Sequence, residues 1–383
     1  MTDLVYLDHA ATTPMRPAAI EAMLPYLRGD YANPSGSHRF ARRARRAIDE
    51  ARDVVAAIVG CSPNEVVFTG GGTESDNTAV AGAVRRGANV GAAVAVAVCS
   101  AVEHPAVLEV VRRHDGVVVG VDPLGRVDLD ELLSVLDTRG PDIAVVSVMA
   151  VNNEVGTIND IEAVARVVRR HAPGALLHTD AVQAACWLDL RTITPHVDLL
   201  SLSAHKFGGP KGVGVLVERG GPRIDPLIIG GGQERERRSG TQNTAGIVAT
   251  AAALDLTDAE RLDDASRIAP LRDHLIARLI TEIDGCIDTV PAESKVAGSA
   301  HVCLDGIESE ALLFLLDEEG VCASAASSCA SGAMDPSHVL AAMGVPRGRA
   351  VGALRLTLGH ETTPDEVERA ADVIAVAVSK LRR

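Results

Sequence analysis

Aromatic side chains are scarce: tyrosine, phenylalanine and tryptophan together make up 2% of the 383 residues. With 47% hydrophobic residues the chain still buries a substantial core, which has to be built from Ala, Val, Leu and Ile. That apolar content excludes disorder over most of the length. Also missing is any run approaching the about 18 apolar residues a membrane helix needs. The longest apolar stretch, Val90 to Val102, is too short and is interrupted by Gly91, Cys99 and Ser100. The opening segment MTDLVYLDHAATTP has no basic region followed by an apolar one, so no secretory signal is expected, and a cytoplasmic location is. No CxxC occurs, and the seven cysteines at 61, 99, 186, 286, 303, 322 and 329 are odd in number. This excludes a disulfide framework and the usual zinc spacings, and no metal is expected. An excess of positive charge is absent too: the formal net charge is −14. That argues against a general nucleic-acid or membrane-surface binder, though not against a local basic patch. No internal repeat or low-complexity tract is present.

What is there reads as an α/β protein. Length predicts about two domains. The middle of the chain alternates short apolar strands with helical segments. Ile143–Met149, Ala175–Thr179, Asp198–Ser203 and Gly212–Glu218 read as strands, and Ile158–His171 carries a helical apolar face. Such alternation predicts a mostly parallel sheet covered by helices on both faces. Ligands of these sheets bind beyond the carboxyl ends of the strands. The residues just after these strands are Asn152, Asn153 and Glu154, then Asp180 and Gln183, then His205 and Lys206. A boundary is expected within the Ala-rich helical stretch at 250–265, followed by a smaller unit with its own strand and helix signals: His301–Leu304, Ser309–Glu319, Pro336–Met343, Leu354–Leu358 and Pro364–Leu381.

Several motifs bear chemistry. Lys206, in Ser203-Ala204-His205-Lys206, follows a strand directly; a partly desolvated lysine there can form a Schiff base, whereas alone it reads as a solvated charge. Asp180 ends the preceding strand, with Gln183 three residues on. A buried carboxylate needs a cation, which the protonated ring nitrogen of pyridoxal phosphate supplies; a helix cap is the other reading. Thr69-Gly70-Gly71-Gly72-Thr73-Glu74 lies between a strand, Val66–Phe68, and a helix. It reads equally as an anion cradle at a helix N-terminus and as a flexible turn, and it matches neither a Walker A nor a dinucleotide loop. His104, after the strand Val94–Ala101, is placed to stack on a planar ring or to cap the helix opened by Pro105. Arg235, Arg237 and Arg238 lie in the Gly-rich GGGQERERRSGTQN, which reads as an anion-reaching loop or a solvated one. The run Arg39, Arg42, Arg43, Arg45 and Arg46 reads as an exposed helix face. Arg355, alone in the apolar ALRLTLG, needs an anionic partner, either a substrate carboxylate or an internal carboxylate. Cys329 lies in Ala323–Ala333, ASAASSCASGA, which has no large side chain to pack and is expected to be a mobile surface loop. An exposed thiol there favours a reactive nucleophile, while Cys322 and most other cysteines read as structural.

The segments YLDHAATTP, NPSGSH, FTGGGTESDN, VEHPAVL, VNNEVGTI, HTDAVQ, SLSAHKFGGPKGVG, GGGQERERRSGTQN, SSCAS, DPSHVLAAMG and LRLTLG occur in one order along the whole chain. In these the sequence resembles the cysteine desulfurases of the class V aminotransferase group, pyridoxal-phosphate enzymes of fold type I, with a cysteine loop like that of the NifS/IscS type. The resemblance implies a large domain over residues 14–255 with a mostly parallel seven-stranded sheet. It implies a smaller α+β domain made of 1–13 with 256–383. Lys206 would bind the cofactor aldehyde and act on the substrate, Asp180 would pair with the ring nitrogen, Gln183 with the ring oxygen, and His104 would stack on the ring. Gly72, Thr73, Ser203 and His205 would hold the phosphate, and Thr241 would reach the phosphate of the partner subunit in a homodimer. Asn153 and Arg355 would orient substrate, with Asn153 also beside the cofactor and Asn33 as a further candidate. The implied reaction converts L-cysteine to L-alanine through a Cys329 persulfide. Its sulfur would go to an acceptor protein, for iron–sulfur cluster assembly or tRNA thiolation. Two features depart from the family pattern: the ASAASSCASGA loop, which bears on acceptor choice, and Thr179 in HTDAVQ, where Val is commoner.

Overall fold

The computed structural model describes residues 4–89, 95–325 and 337–383. The first half runs β1 (Val5–Tyr6), α1 (Pro17–Arg28), α2 (Arg39–Val59), β2 (Val66–Thr69), α3 (Gly72–Asn89), β3 (Val96–Ser100), α4 (Pro105–Arg113) and β4 (Val117–Val119). It continues with α5 (Leu129–Arg139), β5 (Ile143–Ser147), α6 (Ile161–His171), β6 (Leu176–Asp180), α7 (Leu190–Ile193), β7 (Leu199–Ser203) and β8 (Gly214–Glu218). The 39-residue α8 (Thr244–Glu282) follows, then β9 (Cys286–Asp288), β10 (Ser299–Leu304), α9 (Ser309–Glu318) and β11 (Val321–Cys322). The chain closes with α10 (His338–Ala342), α11 (Arg347–Ala350), β12 (Ala353–Thr357) and α12 (Pro364–Leu381).

A seven-stranded sheet in the order β2-β8-β7-β6-β5-β3-β4 forms the centre. From β4 through β7 the strands pair in parallel, and β8 pairs antiparallel to both β7 and β2. This is the expected α/β architecture. β5, β6, β7 and β8 are buried along nearly their whole length, as strands covered on both faces must be, so their sequences read as apolar runs rather than as alternation. One large apolar cluster covers the face under α2, α6 and the start of α8, and holds Ile48, Val55, Leu177, Leu202 and Leu254. On the opposite face Val80, Val84, Val107 and Leu108 from α3 and α4 meet Ala97 and Val145. The largest fully buried side chains are Phe207 followed by Leu, Ile and Met, in keeping with a core short of aromatics.

A second apolar cluster joins Val5 and Leu7 to Ile268, Leu275, Leu304, Leu354 and Ile374. It lies under a three-stranded sheet, β12-β10-β9, with β1 and β11 paired in parallel beside it. The stretch expected to hold the boundary is the interior of α8, whose first turns bury Ala249 and Leu254 in the first cluster and whose later turns bury Ile268 and Leu275 in the second. Capping agrees with the sequence where it can be read: Thr363 and Glu366 form a reciprocal capping box, with Pro364 opening α12. Among the described residues no helix is long and apolar enough to cross a membrane.

In the Arg-rich loop Arg235 is exposed, as the solvated reading expects, whereas Arg237 is buried and Arg238 half-buried. Glu234 is 5% exposed and accepts both Arg52 guanidinium nitrogens at 2.8 Å, the Phe68 N–H at 3.0 Å and the Gln242 side-chain amide. Burial pushes the Glu234 carboxyl up, but Arg52 and the other donors more than offset this and hold it below its ordinary value. The pair keeps Glu234, Arg235 and Glu236 in left-handed backbone, at φ of 49°, 57° and 67°. Arg237 bonds the Asn64 carbonyl at 2.7 Å and lies 3.5 Å from Glu218; Arg238 pairs with Glu74 at 2.8 Å. The run Arg39 to Arg46 is exposed on α2, as expected. Arg52→Ala is expected to destabilise the fold by about 3–5 kcal/mol, because Glu234 is left as a buried charge without its cation; chemical denaturation measures it.

Candidate active site

The site lies where the strand ends of the central sheet meet the N-terminal segment. Asp180 closes β6 and is 5% exposed; its Oδ1 accepts the Val182 N–H at 2.8 Å and so caps a turn, where the sequence reading had a helix. That leaves its remaining acceptor capacity for a cationic ligand. Lys206, just past β7, donates from Nζ to the Ala10 and Ala11 carbonyls at 2.5 and 2.9 Å. Gln183 Nε2 donates to the same Ala10 carbonyl at 2.9 Å. Thr13 ties the N-terminal segment down by bonding the His205 carbonyl. Residues 10–13 thus form a wall of the cleft.

Burial lowers the Lys206 ammonium to about 8, helped by Arg355 and opposed by Asp180 and Asp8. Burial also lowers His104, with Asp180 acting the other way and Lys206 and His338 adding to the fall. His104 Nδ1 accepts the Ala106 N–H at 3.1 Å and caps α4, which leaves the ring face available. His205 is pushed down to about 4 by burial and by Lys206 and Lys211, so it stays neutral, with Nδ1 3.1 Å from Thr12 Oγ1.

Beside Lys206 a cleft is lined by Gly71, Gly72, Thr73, Ser203 and His205 at the N-terminus of α3. A Cβ on Gly72 would stand 3.1 Å from Val182 and 3.2 Å from Ser203, so the backbone passes closer to the strand ends than a side chain allows. Free N–H groups at a helix start, two hydroxyls and an imidazole fit a single phosphate. The chemistry of the set fits pyridoxal phosphate as a whole: an amine of lowered pKa for the aldehyde, a buried carboxylate for the ring nitrogen and a cradle for the phosphate. Thr241 is exposed and lines a different opening, with Thr69, Arg238 and Gln242. It is not brought to its own chain's cradle.

Arg355, on β12, is 6% exposed. Its Nη2 meets Asp8 at 2.8 Å, its Nη1 donates to the Asn153 carbonyl at 3.0 Å, and its Nε is buried without a partner. It therefore has an internal carboxylate and still a free donor for another. Asn153 and Lys206 line a common opening with Gln183. Asn33 sits in the loop between α1 and α2, exposed, with Oδ1 taken by the Ser35 N–H, so its placement adds nothing to the substrate role. Cys329 falls outside the described residues; the chain is described up to 325 and again from 337. Cys322 is half-buried in β11, and burial raises its thiol, as for a structural cysteine.

A polar set beneath the site was not singled out from the sequence. On the sheet face carrying Asp180, the register places Ser201 beside Asp180 and Ser147 beside His178. His178 is fully buried, 2.8 Å from Ser147 Oγ and 3.0 Å from Ser201 Oγ, and burial pushes it down to about 3. Asp76 of α3 reaches in to 3.7 Å from His178 and bonds Ser201. Glu103 accepts the Met149 N–H at 2.7 Å. Burial and the Asp180 charge push Asp76 and Glu103 well above the ordinary carboxylate range. Period-two spacing from Asp180 to His178, and an acid on the sheet-facing side of α3, are the signals by which sequence reading finds them.

The class-V aminotransferase family model matches residues 5–370. A cysteine desulfurase of Gluconacetobacter diazotrophicus is 41% identical over 99% of this chain and 94% of its own length. An IscS-like cysteine desulfurase of Mycobacterium tuberculosis is 42% identical over 99% of this chain and 98% of its own. A solved structure of a NifS-like protein superposes with a TM-score of 0.91 at 36% identity, covering 98% of this chain and 100% of that one.

Lys206 is protonated and unreactive below its pKa and a free amine above it. Covalent uptake of pyridoxal phosphate by cofactor-free protein, trapped by borohydride, is therefore expected to rise about tenfold per pH unit and level off near pH 8. An ordinary lysine would level off near about 10.4.

Proposed function

The chain belongs to the class-V aminotransferases, and we propose that it is a cysteine desulfurase that converts L-cysteine to L-alanine through a persulfide on Cys329. The observation that carries this reading is the setting of Arg355. Its side chain donates to the carbonyl of Asn153, which lines the opening of Lys206, and its backbone exchanges two hydrogen bonds, at 2.7 and 3.2 Å, with Ser324, five residues before Cys329. A carboxylate anchor and the chain that bears the thiol are thereby joined.

Pyridoxal phosphate, when bound, supplies the electron sink that makes the substrate Cα–H acidic. Lys206 would hold its aldehyde and, as a free amine, would accept the Cα proton at Nζ; a pKa of about 8 keeps a useful fraction of free amine at neutral pH. Asp180 would pair with the ring nitrogen, His104 would stack on the ring and Gln183 would bond the ring oxygen. Gly72, Thr73, Ser203 and His205 would hold the phosphate. Arg355 and Asn153 orient the substrate, with Asn33 a weaker candidate. The Cys329 thiolate attacks the substrate sulfur: the S–S bond forms, the Cβ–S bond breaks and its electron pair passes to the three-carbon fragment, which leaves as alanine after protonation. The persulfide then serves iron–sulfur cluster assembly in the cytoplasm, with tRNA thiolation as a further outlet.

The working unit is a homodimer in which Thr241 completes the partner's phosphate site. Support comes from Leu227, Ile228 and Ile229, which expose 37%, 37% and 80% of their surface beside the loop that carries Thr241. Ile229→Asp is expected to shift the protein toward monomer in sedimentation velocity.

Purified protein given L-cysteine and a thiol reductant is expected to release alanine and sulfide in equal amounts. Cys329→Ala should retain bound cofactor and lose at least about 100-fold in alanine formation from cysteine. Full-rate sulfide release by that variant would sink the persulfide route.

A further inference from the structure

Glu154 follows Asn153 in the turn after β5 and is 4% exposed. A buried carboxyl is costly unless it is bonded. Arg355, the nearest cation, is already paired with Asp8. The direct bond to Glu154 comes from Ser337, whose hydroxyl donates to Oε2. Ser337 Oγ accepts the Val339 and Leu340 N–H groups at 3.1 and 3.3 Å and so caps α10. Its own hydroxyl proton is thus directed at Glu154.

The turn that holds Glu154 is rigid. Asn152 Oδ1 accepts the Glu154 and Val155 N–H groups at 2.9 and 3.0 Å, and its Nδ2 donates to the Val102 carbonyl. Val339, Leu340 and Met343 of the α10 region share an apolar cluster with Met149 and Val155. Ser337 stands eight residues after Cys329, and Ser324 stands five before it. Both flanks of Cys329 are therefore tied to the region of the site: Ser324 by backbone bonds to Arg355, and Ser337 by a side-chain bond to Glu154, the neighbour of Asn153. The second tie is the one a substitution can remove. Burial raises Glu154 to about 7, with Ser337 and Arg355 pulling it down.

We propose that Glu154 is a positioning residue that fixes, through Ser337, where the chain returns from Cys329, and so sets how readily that thiol meets the substrate sulfur. The inference rests on the persulfide reading above. Glu154→Ala and Ser337→Ala are each expected to slow persulfide formation on Cys329 about tenfold, while L-alanine affinity, read from the cofactor absorption, stays within about twofold. Glu154→Gln keeps an oxygen for the Ser337 hydroxyl and should restore most of the rate. In cofactor-free protein, alkylation of Cys329 by iodoacetamide, followed by peptide mass, should differ from wild type by about threefold or more in both alanine variants and return with Glu154→Gln. Wild-type rates for both alanine variants in both assays would overturn the proposal. So would a parallel loss of L-alanine affinity, which would place Glu154 on the substrate instead. Absence of persulfide in the wild-type protein would count against the desulfurase reading, and the alkylation rates would still decide the role of Glu154.

Discussion

Three carboxyl groups, Asp76, Glu103 and Asp180, are buried together under the cleft, and the chain supplies them with no full cation in direct contact. Neighbouring acids in a low-dielectric setting cannot all ionise. Burial and mutual repulsion push Asp76 and Glu103 well above the ordinary carboxylate range; burial raises Asp180 too, but against the pull of the Val182 N–H, His104 and Lys206. A cationic ligand at Asp180 would offset that repulsion.

That arrangement depends on the sheet. β5, β6 and β7 run in parallel, so Asn153 and Glu154, Asp180, and Lys206 emerge at one edge. α3 begins at the same edge, and its first turn faces the cleft. The N-terminal segment then closes the cleft by supplying carbonyls to Lys206 and Gln183, and Asp8 to Arg355. Arg355 belongs to β12, in a different sheet, and its bonds to Asp8 and to the Asn153 carbonyl join elements far apart in sequence.

Individual motifs had two readings each, and in several the structure shows the structural role while leaving the group able to take the other. Asp180 caps the turn after β6 and still faces the cleft; His104 caps α4 and keeps its ring face; Arg355 has an internal carboxylate and an unbonded Nε. A capping bond uses one lone pair or one donor, and these groups have more than one. Arg237 and Arg238 came out differently from either reading, because the strained backbone at 234–236 turns them inward onto Glu218 and Glu74.

The sequence by itself determined the α/β alternation, the order of the strands along the chain, and the identity of Lys206, Asp180 and the glycine cradle, because apolar periodicity and strand-end polarity are local properties. It also carried the unbroken order of motifs that joins this chain to its relatives. Tertiary structure alone decided the sheet order, the wall made by residues 10–13, the inward pairing of the arginines, and the buried set of Asp76, Glu103 and His178. It alone brought Glu154 to Ser337 across 183 positions. These depend on which side chains become neighbours when distant elements pack, and burial then sets their charge; neither quantity is encoded in any single stretch of chain.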